Sequence, residues 1–195
     1  MKTTTPIDPA RTALVLIDLQ KGILAIPAAP RSGAEVVQNA ARLTEAFRKA
    51  GATVVLVNVG FSADGADRLQ PEVDAPAKMP PLPPDWMELA PELNAQPSDL
   101  RITKRQWGAF HGTELDLQLR RRGITKIVLG GVSTNIGVES TARAAYEHGY
   151  TLVLAEDAMA SGNGAEAHRF ACETIFPRIA VVRSTEEILA ALAPA

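Results

Sequence analysis

Three polar features of this 195-residue chain each follow a short apolar run, and their types suit proton-transfer chemistry. Asp18 ends the run ALVLI at 13–17, Lys104 follows LRIT at 100–103, and the small-residue turn STNIG at 133–137 follows KIVLGG at 126–131 and one further residue. A carboxylate can carry a proton, and an ammonium or the free N–H groups of a helix start can stabilise developing negative charge. Ligands of open parallel sheets sit at the carboxyl ends of the strands, which is where all three features would have to meet. Taken singly each is ambiguous. An aspartate after a strand is often a helix cap or an ion-pair partner, and a lone lysine is commonly solvated.

The neighbours of these features extend the candidate list. Arg105, Trp107 and Phe110 share the Lys104 loop. An aromatic there can wall a planar substrate and Arg105 can pair with a carboxylate, while core packing of Phe110 and a surface ion pair of Arg105 are the plain alternatives. Ser133 and Thr134 are candidates for orienting a substrate or for holding the turn. Glu139 and Arg143, four apart on one helix, should pair with each other. His148 should sit at a helix C-terminus, and His111 in a loop.

Positioning these residues requires alternating strands and helices. Strands are expected at 13–17, 53–59, 100–103, 126–131, 151–155 and 179–182. The continuous apolar runs indicate strands covered on both faces. Ser32 with Glu35 and Ser184 with Glu187 have capping-box spacing, and Gly51, Gly123 and Gly149 stop helices. A helix is expected from about Ile136 to His148, another through His168 and Cys172 to Pro177, and a short one across 85–93. Residues 61–98 hold most of the prolines, including Pro80-Pro81 and Pro83-Pro84, and read as an ordered excursion over the sheet's carboxyl edge. Glu156 and Asp157 should follow the fifth strand. This pattern predicts an α/β fold: a single Rossmann-like three-layer sandwich over residues 1–195, with a six-stranded parallel sheet flanked by helices.

Composition narrows the partners. With 46% hydrophobic and 22% charged residues and a net charge of −2, nucleic acid and anionic membranes are poor partners for this chain. One cysteine, Cys172, excludes an intrachain disulfide framework, and no run reaches membrane-spanning length. The expectation is a cytoplasmic protein acting on a small molecule.

Four stretches carry a family resemblance: ALVLIDLQ at 13–20, KRQWGAFHGTELD at 104–116, GGVSTNIGVESTARAA at 130–145 and AEDAMAS at 155–161. They resemble the isochorismatase-like hydrolase superfamily, which includes nicotinamidases and related cysteine hydrolases. The similarity spans nearly the whole chain and is weakest in the proline-rich excursion. It implies a catalytic Asp–Lys pair, which falls on Asp18 and Lys104, and a cis peptide between Val132 and Ser133. It implies oligomer contacts through the helix after the turn, hence a homo-oligomer, dimer or tetramer.

One departure matters most. The amidases of the superfamily carry a cysteine nucleophile where this chain has Gly137, so the covalent thiolate route is closed there. Cys172, amid Phe170, Ala171, Ile175 and Phe176, reads as a buried structural thiol. Isochorismatases also lack that cysteine, can carry glycine, and cleave a vinyl ether without a covalent enzyme intermediate, although STNIGVEST itself is closer to the cysteine-hydrolase branch. Nicotinamidases often bind a metal through Asp and His after the second strand. Residues 58–67 contain no histidine, and His111, His148 and His168 lack ligand spacing, so neither metal nor cofactor is expected. The resulting expectation is a small-molecule hydrolase using Asp18 as acid or base, Lys104 as electrostatic stabiliser and Gly137 as space. Its alternative is a catalytically silent ligand-binding or regulatory member.

Overall fold

The computed structural model describes residues 6–75 and 82–192. Its strands are β1 (Thr12–Ile17), β2 (Thr53–Val59), β3 (Leu100–Lys104), β4 (Lys126–Val132), β5 (Thr151–Ala160) and β6 (Val181–Arg183). All pair in parallel, in the order β3-β2-β1-β4-β5-β6. The helices are α1 (Lys21–Leu24), α2 (Gly33–Lys49), α3 (Leu115–Arg121), α4 (Glu139–Glu147), α5 (Ala165–Phe170) and α6 (Thr185–Ala191). No described helix is long and apolar enough to cross a membrane.

The two-faced burial expected of ALVLI is complete, with every residue of β1 buried. Successive side chains feed opposite layers because the strand period is two. Val15 and Ile17 join Leu115, Leu119, Val138, Ala142, Ala145 and Phe176 beneath α3 and α4, while Leu14 and Leu16 join Val36, Phe47 and Ile188 beneath α2 and α6. Both capping boxes form, at Ser32 and at Ser184. The glycine stops at Gly51, Gly123 and Gly149 all have positive φ, which L side chains disfavour.

Several boundaries differ from the sequence expectation. The sixth strand is Val181–Arg183 rather than 179–182. The 85–93 segment contains only the 3-10 turn Pro91–Leu93, since proline at its start sets φ but the run is too short to propagate a helix. The helix after β4 begins as a π-helical turn, Thr134–Val138, before α4. The helix through His168 likewise passes from α5 into a π-helical turn, Ala171–Ile175. β5 does not stop before Glu156 but continues to Ala160, because its register against β4 breaks between Leu129 and Gly131 and the strand resumes at Met159. Glu156 and Asp157 therefore lie inside a bulged strand, not after it.

Where described, the excursion after β2 folds back on the sheet's carboxyl edge. Phe61 stacks on Trp86 at 5.9 Å, and Arg68 lies over the Phe61 ring. Pro80-Pro81 falls outside the described residues.

Candidate active site

The strand order reverses direction between β1 and β4, and a crevice opens at such a switch point outside the carboxyl ends. Asp18 leaves β1 at that point, the turn at 133–137 leaves β4, and Lys104 is the last residue of β3. Close approach of the two central strands depends on Gly131, where a Cβ would collide with the Ile17 backbone. Its φ of 121° is also one that L residues rarely adopt.

Asp18 is itself held at φ 53°, with its N–H donating to Val57 O at 2.9 Å. A left-handed non-glycine residue persists only where its surroundings over-determine it. Gln20 supplies part of that restraint. It is fully buried, accepts from Val59 N–H at 2.8 Å, and donates to the carbonyls of Val59 and Trp86. It thus ties the end of β2 and the excursion to the segment carrying Asp18.

Lys104 Nζ donates to Asp18 Oδ2 at 2.7 Å and to the Gln106 carbonyl at 3.0 Å. Both side chains are buried, Lys104 at 2% and Asp18 at 8% exposure. The other Asp18 oxygen, Oδ1, is buried and has no hydrogen-bond partner. Burial pushes the Asp18 carboxyl up to about 6, against the opposing pull of the Lys104 ammonium.

Gly137 closes the constellation. A Cβ there would stand 3.4 Å from Asp18 Oδ2, 3.3 Å from the Trp107 carbonyl oxygen and 3.1 Å from Ile17 Cγ2. The absence of a side chain lets the Gly137 backbone close up against the carboxylate, where even a methyl group would be a tight fit. Thr141 ties the two segments together, donating to Gly137 O at 2.7 Å and accepting from Ala109 N–H at 3.1 Å. The Val132–Ser133 peptide is cis.

The other candidates separate. Trp107 is 65% exposed, and its carbonyl oxygen lies close to Gly137. Arg105 pairs with Asp67 at 2.6 Å on the surface and is not aimed at Asp18. Phe110 is not a pocket wall: it is buried against Tyr150 and His148 in the layer under α3 and α4. The turn hydroxyls hold the backbone. Ser133 Oγ accepts from Gly162 N–H at 2.8 Å, and Thr134, fully buried, bonds to His168 Nδ1 at 2.8 Å. Their side chains are thus engaged with protein rather than presented to a ligand. Glu139 and Arg143 pair as expected, His148 caps α4, and His111 is exposed. Cys172 is buried, and burial pushes its thiol up to about 12, which leaves it inert.

The metal set of the nicotinamidases does not fit here. Asp64 is taken up by Ser62 Oγ and Ala66 N–H, and Asp67 by Ser62 and Arg105. Among the described residues no three His, Cys, Asp or Glu side chains cluster as metal ligands.

A parallel sheet with an acid and an amine at its switch point defines a class of α/β hydrolytic enzymes. The isochorismatase domain matches residues 12–187, and this chain belongs to that family of hydrolases. It is 56% identical to an uncharacterised isochorismatase family protein, YecD, of Escherichia coli O157:H7, over 93% of this chain and 96% of that one. A solved isochorismatase family protein from Burkholderia thailandensis superposes with a TM-score of 0.91 at 47% identity, covering 97% of this chain and 99% of that one. The ureidoacrylate amidohydrolase RutB of Caulobacter vibrioides is 29% identical over 97% of this chain and 96% of its own length.

Proposed function

We propose that this hydrolase acts on a small cytoplasmic metabolite by non-covalent proton transfer through Asp18, with vinyl-ether hydrolysis as the reaction that suits the site best. The observation that carries this reading is the buried Asp18 Oδ1, which has no hydrogen-bond partner. Lys104 occupies Oδ2, so the transferable proton belongs on Oδ1. Burial keeps that proton bound up to about pH 6, which makes Asp18 an acid near neutrality.

In the proposed reaction the Asp18 O–H bond breaks and its proton forms a C–H bond at the terminal vinyl carbon. The ether carbon becomes an oxocarbenium ion. A water adds to it, and the water's proton returns to the Asp18 carboxylate. The hemiketal then collapses to a carbonyl compound and an alcohol. The Lys104 ammonium stabilises the carboxylate between the two proton transfers.

Purified protein offered isochorismate and other vinyl ethers, beside amides and imides, tests this. Turnover of a vinyl ether that is lost in Asp18→Asn is expected. Undiminished turnover in that variant removes Asp18 as the acid. Ligand-induced melting shifts without turnover of any compound identify a silent binding protein instead.

A further inference from the structure

The AEDAMAS stretch at 155–161 takes no part in the proton transfer, yet Ser161 directly and Glu156 through His168 reach the turn after β4. Ser161 Oγ donates to Asn135 Oδ1 at 2.7 Å, and Gly162 N–H donates to Ser133 Oγ. Deeper in, four side chains form a chain of contacts. Arg31 grips Glu156 with two bonds of 2.9 and 3.0 Å, Glu156 Oε1 lies 2.9 Å from His168 Nε2, and His168 Nδ1 lies 2.8 Å from Thr134 Oγ1. The Cys172 sulfur sits 3.6 Å from the same Nε2. Thr134 lies between Ser133 and Gly137 in the chain, so whatever sets its side chain sets that segment of backbone.

The protonation pattern follows from the partners. The His168 hydrogen bond and the Arg31 guanidinium hold the Glu156 carboxyl down to about 2, so it is an ionised acceptor. An acceptor at Nε2 requires the ring proton on Nε2. With that proton alone on the ring, Nδ1 is an acceptor to which the Thr134 hydroxyl donates. The bulge in β5 is what brings Glu156 to this position.

We propose that His168 is a positioning residue for the active-site turn: Glu156 and Arg31 hold its ring in the Nε2–H form, and Nδ1 accepts from Thr134 to place Gly137 against Asp18. Its effect on turnover rests on the proton-transfer reading above, but its effect on geometry does not. The chain is an anchor, since Thr134 is fully buried and offers no exposed nucleophile.

The test therefore uses a reporter that needs no substrate. A thiol introduced by Gly137→Cys faces Asp18, and its iodoacetamide alkylation rate against pH reads its surroundings, with peptide mapping to separate it from Cys172. Adding Thr134→Val should change the neutral-pH rate by about tenfold or move its pH midpoint, because small displacements in such sites have large effects. Thr134→Ser should restore the rate. Glu156→Gln, which weakens both the acceptor at Nε2 and the Arg31 pair but leaves Thr134 in place, should displace the profile in the direction of Thr134→Val and serves alone if Thr134→Val does not fold. In the native Gly137 background, Thr134→Val should lower kcat with little change in KM. A folded Thr134→Val or Glu156→Gln protein whose reporter profile is unchanged overturns the proposal. Absence of turnover on every compound counts against the hydrolytic reading only, and leaves the reporter result to decide this one.

Discussion

Asp18 combines two opposed influences, and their balance sets the pH behaviour. Burial raises its carboxyl from the usual range to about 6, while Lys104 pulls it down. An acid catalyst works only while protonated, so the rate should fall as pH rises through about 6. A rate that climbs through the same interval means a base, and points to amide chemistry with an activated water. Lys104→Met removes the lowering influence, so the remaining activity should lose its proton at a higher pH than in the native chain. A pH–rate series on both proteins checks the direction. Gly137→Ala places a methyl 3.1 to 3.4 Å from three neighbours, one of them the Asp18 carboxylate. It should cost about 1–3 kcal/mol in thermal or urea unfolding and depress turnover further than that loss explains. At this scale the sequence exposed Asp18 and Lys104, because each follows an apolar strand. It could not expose His168, Glu156 or Arg31, whose roles arise from contacts 12 to 125 positions apart.

The elements were legible to the extent that their signals were local. Capping serines, stop glycines and uninterrupted apolar runs gave α2, α6 and the central strands nearly to the residue. The bulge in β5 carries no local signal, since its cause is the register against β4, and it moved Glu156 and Asp157 from a loop into the strand. Asp157 there accepts from Thr185 N–H and Oγ1, tying β5 to the start of α6. Glu156 has a testable consequence. A depressed carboxyl contributes stability fully present above its unfolded value of about 4.5 and lost as pH falls through about 2. Glu156→Gln should therefore narrow its stability gap to the native chain as pH is lowered from 6 to 3, followed by urea denaturation. Gln20 was visible two residues after Asp18 but carried no sign of its function. Gln20→Leu leaves the Val59 N–H without its present acceptor and should cost about 1–3 kcal/mol.

At the scale of the molecule, alternation of strands and helices was enough to predict the parallel three-layer fold, whereas the order β3-β2-β1-β4-β5-β6 was not readable from periodicity. That order is what unites the site, because it sets β1 and β4 side by side at the switch point. The two helical layers differ on their outer surfaces. Leu117 of α3, Tyr146 of α4 and Phe170 of α5 are exposed at 48%, 53% and 57%, and Trp107 beside α3 at 65%. No residue of α2 or α6 is among the exposed large apolar side chains. We propose that this layer is an association surface and that a second copy of this chain is its occupant. The protein should elute as a dimer or larger assembly in light-scattering chromatography. Tyr146→Glu with Phe170→Glu should shift it to monomer while circular dichroism stays native. Persistence of the native mass in that double variant would move the interface off this layer, and a monomeric native protein would remove the assembly altogether. Because Trp107 belongs to this layer and its carbonyl oxygen lies close to Gly137, the monomerised variant should also lose turnover, with the loss reversed at high protein concentration if assembly alone is responsible.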